Sequence, residues 1–100
     1  MRIAANAGAN QVIKMSWNHR VIRRSNAPST DPEWNYQIHE VYYKWDGSIE
    51  AWTENPVAPL GEDLIKLKSE FSLFSKALDR PALQEFKVNG KEVLVEVDEI

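Results

Sequence analysis

The apolar period of the sequence changes from two to 3.6 across Pro56 and Pro59, and that change sets the class of fold. In the segments Ser16–Arg24, Trp34–Trp45 and Ser48–Glu54 side chains alternate between two faces. From Glu62 to about Asp79, Leu64, Leu67, Phe71, Phe74 and Leu78 recur at helical spacing. A period of two places alternate side chains on opposite faces of a strand, and a period of 3.6 gathers them along one side of a helix. Strands followed by a helix in one short chain imply an α+β fold, with the helix laid on one face of an antiparallel sheet.

Ser16–Arg24, SWNHRVIRR, reads as the first strong strand. Trp17, His19, Val21 and Arg23 share one face, and Asn18, Arg20, Ile22 and Arg24 the other. The prolines and polar residues of SNAPSTDPE (25–33) form a loop. Trp34–Trp45, WNYQIHEVYYKW, is a second strand, rich in aromatic and β-branched residues. Asp46–Gly47 is a type I′ hairpin signal, which makes Ser48–Glu54 an antiparallel third strand. Pro56 and Pro59, with fixed φ and no amide donor, then stop the ladder and form a stiff connector that aims the helix.

Glu62 and Asp63 sit in the first turn of that helix, where negative charge suits its dipole, and Pro81 ends it near Asp79. Ile65 and Leu73 fall outside the stripe and need cover from the chain's tail or a second subunit. Asn89–Gly90 between alternating apolar residues makes a C-terminal hairpin over Phe86–Val97, residues 86–97. The expected fold is therefore a three-stranded antiparallel sheet, one helix on one face, then a hairpin or extended strand. Residues 1–14 read as a flexible leader with a weak strand at Gln11–Lys14. Residues 15–100 read as a single domain, and Met15 is a candidate start. The sheet face away from the helix is left with large aromatics, which suggests contact with a partner.

One hundred residues suffice for one core. The absence of cysteine excludes a disulfide, a thiolate metal site and a cysteine nucleophile. No apolar run has the length of a membrane span, and the N-terminal residues make a poor signal peptide, so a cytoplasmic protein is expected. Charge is unevenly placed: residues 1–30 carry Arg2, Lys14, Arg20, Arg23 and Arg24 and no acid, and all 15 acidic side chains follow. In a chain of net charge −3, complementarity between the two ends is favoured over a nucleic-acid surface.

No catalytic set stands out. His19 and His39 both lie in strands and approach each other only if those strands pair suitably, and Glu40 points away from His39. Neither histidine shows the short ligand spacing of a metal site, and no glycine-rich phosphate loop exists. Neither a metal nor a cofactor is expected. Arg20, Arg23 and Arg24 are candidate phosphate contacts. They are divided between two faces, however, and read better as a charged edge strand or as partners of Glu96, Asp98 and Glu99. Trp34, Tyr36, Tyr42, Tyr43, Trp45 and Trp52 form an aromatic set able to line a pocket.

The segments WNHRVIRR, YQIHEVYY, DG and AWTENPVAPLGE, with a helix ending in ALDRP, resemble a family of small bacterial proteins of unknown activity. The shared pattern is W-N-x-R-V-I-R, I-H-E-V-Y-Y and A-W-T-E-x-P-V-A-P, and it covers about Ser16 to Pro81. The resemblance implies the order of elements and an accessory gene, including mobile ones such as integron cassettes. The β-β-β-α order with Gly61, Glu62, Asp63 and Leu64 at the helix start also resembles the partial ribonuclease-H-like domain of HicB-type antitoxins. That second resemblance implies a toxin ribonuclease as partner; the Pro-Gly-Cys element expected before the helix is absent.

The leading expectation is a non-enzymatic interaction module that binds itself or another protein. Its candidate surface is Trp17, His19, His39, Tyr42, Tyr43, Trp45 and Trp52. A small-molecule or nucleotide binder using Trp52, Tyr42 and Tyr43 is the alternative. Weak RNA or DNA binding through the arginines follows, and an enzyme is the least supported class.

Overall fold

A computed structural model describes residues 3–6, 11–14, 16–25 and 33–98. Strands β1 (Ile3–Asn6) and β2 (Gln11–Lys14) pair antiparallel as a two-stranded sheet of their own. The main chain of elements is β3 (Ser16–Ser25), β4 (Trp34–Tyr43), β5 (Ile49–Trp52), helix α1 (Leu64–Ser75) with a 3-10 turn (Lys76–Asp79), β6 (Leu83–Val88) and β7 (Lys91–Glu96). The five strands β3 to β7 make one sheet in the order β5-β4-β3-β6-β7. Most of the 25–33 loop and the alternative start at Met15 lie outside the described residues.

The turns fall where the sequence places them, but Asp46–Gly47 is not the expected type I′ turn, which needs positive φ at both residues, because Asp46 does not hold positive φ. Asn89 and Gly90 both hold positive φ, 52° and 79°, which joins β6 to β7 with Phe86 opposite Val93 and Val88 opposite Lys91. Gly47, at φ 90°, closes the β4–β5 connection, where the Lys44 amide donates to the Ser48 carbonyl. The hairpin strands are longer than expected, running back to Leu83. β4 and β5 are shorter, because a register shift at Tyr42/Tyr43 loosens their turn end.

Three expectations are corrected. First, β3 is the central strand and not an edge, because β6 returns beside it in parallel, Ile22 against Leu83 and Arg23 against Gln84. β5 and β6 point the same way, and such a pair needs a long crossover, here residues 53–82 with α1 inside it. Second, the prolines do not stop β5's side of the sheet outright. Thr53 and Val57 still donate their amides to the Glu40 and Ile38 carbonyls of β4; Val57, between the two prolines, keeps an N–H of its own. Third, α1 is not laid across the sheet along its length. Of the stripe only Phe74 is buried, at 4% exposed, with Ala77 of the 3-10 turn; Leu64 and Phe71 stand 65% and 64% exposed.

The helix begins two residues after Glu62, so Glu62 and Asp63 precede its first turn and do not sit within it. Asp63 is the cap, its Oδ1 accepting from the Lys66 amide at 2.8 Å. A side-chain oxygen there satisfies one of the free amides of the first turn. Burial is divided between the two faces of the sheet. Ile22, Val41, Leu83 and Leu94 form a cluster with Tyr43, Ile49 and Trp52 on the face away from α1. Val21, Phe74 and Ala77 are buried on the helix side.

Gly61 passes against the first turn of α1. A Cβ there would lie 2.3 Å from the Leu67 nitrogen and 2.7 Å from its Cα, and both are backbone atoms that cannot step aside. Gly61→Ala is therefore expected to destabilise the fold by about 2 kcal/mol, the range of an overpacked contact. Thermal and urea unfolding check this, with Ala58→Gly as a connector control.

Candidate functional site

Only two residue pairs join β6 to β3 in register, and the arginines of β3 reinforce that seam. Arg20 and Arg24 point to the face away from α1, Arg23 to the helix side. Arg20, its side chain 3% exposed, donates Nη2 to the Pro81 carbonyl at 3.0 Å and to Glu96 at 2.9 Å, and Nη1 to the Tyr43 hydroxyl at 3.2 Å. Arg23 donates Nε to Gln84 at 2.9 Å, and its guanidinium lies 4.1 Å from the centre of the Trp34 ring. Arg24 takes both oxygens of Glu85 at 3.0 Å and reaches the Glu54 carbonyl at 2.8 Å.

Glu85 also accepts from the Trp52 indole at 2.8 Å. One carboxylate on β6 thus holds β3 and β5 together across the sheet. The Arg24 bond, the indole and the Arg24 charge hold the Glu85 carboxyl below its ordinary range against the opposing effect of burial. Arg24 is raised correspondingly, chiefly by the same hydrogen bond. The sheet curls with this contact: outer strands β5 and β7 line one cavity of about 440 Å³, with Arg20 and Tyr43 beneath. The three guanidinium groups, sought as phosphate contacts, are engaged in protein contacts on two faces and make no single basic surface.

His39, fully buried, lies on the same face. Its Nδ1 is 2.9 Å from the Thr53 carbonyl; a carbonyl only accepts, so Nδ1 carries the proton. Nε2 has no protein partner. Burial lowers the imidazole pKa below its ordinary value, opposed by the Thr53 carbonyl and assisted by the Arg24 charge. The Thr53 hydroxyl accepts from the Glu40 amide at 3.2 Å, which fixes the same junction.

The two histidines do not meet. Arg20 is the residue opposite His39, and His19 is opposite Glu40, so the histidines occupy opposite faces. On the helix side Phe74 stacks on His19 at 4.0 Å with an interplanar angle of 28°. Trp17 meets the same imidazole at 5.2 Å and 87°. Tyr42, opposite Trp17, donates its hydroxyl to Glu40, and that bond raises the phenol pKa. Tyr43 donates to Asn18 at 2.7 Å on the other face. Trp45 stands in the turn, exposed.

The expected surface of seven residues is therefore three groups: Trp17, His19 and Tyr42 on the helix side; His39, Tyr43 and Trp52 on the opposite side; Trp45 apart. The aromatic face expected to await a partner is the polar-braced one. The open apolar surface lies on α1. Sequence reasoning missed Glu85, Thr53, Lys76 and Arg80. Glu85 had a usable signal, since equal strand lengths about Asn89–Gly90 carry β6 back past Phe86.

Among the described residues, no three His, Asp or Glu side chains gather as a metal site, and no helix is long and apolar enough to cross a membrane. No protein-family model matches the sequence, and neither a curated protein nor a solved structure matches the chain.

Two outcomes are expected of this network. Glu85→Ala leaves Arg24 and the Trp52 indole without their acceptor and lowers unfolding free energy by about 2–3 kcal/mol, the range for bonds to charged groups; urea denaturation measures it. His39 has a folded pKa below its unfolded value of 6.5, so the unfolded chain takes the proton first. Its stabilising contribution is present above pH 6.5 and is lost as pH falls through the lowered folded value. The melting temperature falls as pH is lowered through that window in the wild type and changes less there in His39→Gln.

Proposed function

We propose that this chain is a non-enzymatic protein-interaction module whose partner is a second copy of itself, seated on the apolar side of α1. The observation that carries the reading is the exposure of that stripe. Leu64, Leu67 and Phe71, with Ile65 and Leu60 beside them, are all solvent-exposed. In a monomer a contiguous apolar patch of this kind marks a contact surface. A two-fold axis lets one such stripe cover its own equivalent, so a single surface satisfies both chains.

The test is sedimentation velocity on the full chain. The wild type is expected to sediment as a dimer, and Phe71→Asp to raise the dissociation constant at least about 100-fold, roughly 3 kcal/mol. Because Phe71 is exposed, circular dichroism of the variant stays that of the wild type. A wild type that remains monomeric at about 100 μM, a weak association on the affinity scale, overturns the reading.

The observed order of three antiparallel strands followed by a helix, with Gly61, Glu62, Asp63 and Leu64 at its entry, favours a second reading, a HicB-like antitoxin domain. The partner is then a small toxin ribonuclease encoded next to this chain. Co-expression with the neighbouring reading frame gives a complex and relieves growth inhibition if that reading holds. A harmless, non-binding neighbour removes it.

A further inference from the structure

We infer that the groove beside the C-terminal end of α1 is a binding site for a small planar aromatic anion. The groove has a volume of about 580 Å³ and is lined by Trp17, Asn18 and His19 of β3, Leu73 and Lys76 at the helix end, and Asp79 and Arg80 after it. That volume lies within the range of small-ligand pockets. The site is distinct from the helix stripe of the self-association surface and does not depend on it.

Two kinds of group meet there: an aromatic ring with no ring stacked on its face, and unpaired charge. Trp17 is 39% exposed, and it meets His19 edge to face at 87°. Among the described residues no ring is stacked parallel to the indole, and none of the cations lies over it. Its orientation is nevertheless set, because His19 is fixed from the other side by Phe74 at 4.0 Å. An aromatic platform fixed in place gives a stacked ring its binding energy at little entropic cost.

The second kind is charge. Lys76 and Arg80 make no side-chain hydrogen bond or ion pair among the described residues, whereas Arg20, Arg23 and Arg24 are engaged within the fold. Two unpaired cations against one acid, Asp79, give the groove a net positive charge. A carboxylate or phosphate attached to the stacked ring falls between them, and Asp79 disfavours a highly charged polyanion. The ligand is therefore one ring system with one acidic group. Nucleoside monophosphates and aromatic carboxylates are the two sources of that chemistry.

The experiment follows the four tryptophan indole N–H resonances of the full-length protein by NMR, with Trp17 assigned through Trp17→Phe. AMP and 4-hydroxybenzoate are the probes; adenosine supplies a ring without charge, and inorganic phosphate supplies charge without a ring. At least one probe is expected to shift the Trp17 resonance saturably and leave Trp45 in place. Whichever of the two binds more tightly identifies the source. Adenosine and phosphate bind at least about tenfold more weakly, and the double variant Lys76→Ala/Arg80→Ala weakens the better probe by about tenfold or more. Both of those side chains are on the surface, so the variant keeps its fold and its sedimentation behaviour. Failure of both probes to move Trp17 at about 5 mM, weaker than the millimolar end of the affinity scale, overturns the proposal. Undiminished binding by the double variant overturns it as well.

Discussion

The short parallel seam between β3 and β6 is the constraint on which the remaining structure rests. Two register pairs would be a weak attachment for a hairpin carrying Leu83 and Leu94 of the buried cluster. Side chains complete it. Arg20 reaches Pro81 and Glu96, Arg23 reaches Gln84, and Arg24 grips both oxygens of Glu85. Partly buried charge-assisted pairs of this sort are strong and directional, and they fix which groups sit opposite one another. Trp52 then binds the same Glu85 from the far side of the sheet. The hairpin, the curl of the sheet and the cluster under it therefore share one set of contacts.

That seam also accounts for the division of charge along the chain. A basic first third and an acidic remainder look like a surface prepared for an anionic polymer. In the fold, however, the cations of β3 meet carboxylates of β6 and β7, so attraction between the chain's ends selects the position of the last two strands. The preference for complementarity over a nucleic-acid surface has these atoms as its basis. Reading β3 as a charged edge erred for a related reason: its arginines reach across to a neighbouring strand.

Local features were legible because their causes are local. The Asn89–Gly90 turn, the alternation of β3 and β4 and the change of period before α1 each arise within a few residues. Pairing was less legible. Whether His39 faces Arg20 or His19 depends on a register set by all of β3 and β4, and a shift of one residue exchanges the faces. The parallel return of β6 is a property of the crossover as a whole, invisible in any window. The candidate site suffered most from this, since Trp17 and His19 were identifiable as residues while Lys76 and Arg80 reach them only through the path of α1.

The helix shows the same limit in energetic form. Spacing establishes that Leu64, Leu67, Phe71 and Phe74 lie on one side of α1, but it does not establish what covers that side. Phe74 and Ala77 are pinned against β3, the helix start is held by the Asp63 cap and by the close approach of Gly61, and Leu64, Leu67 and Phe71 remain solvent-exposed. Burying a leucine or phenylalanine is worth about 1.5–3 kcal/mol, comparable to a large part of a small domain's net stability. Fixing the two ends sets the orientation of the stripe without covering it. The same pinning by Phe74 holds His19, and through it Trp17. Any partner that shifts the helix end therefore also moves the aromatic wall of the neighbouring groove.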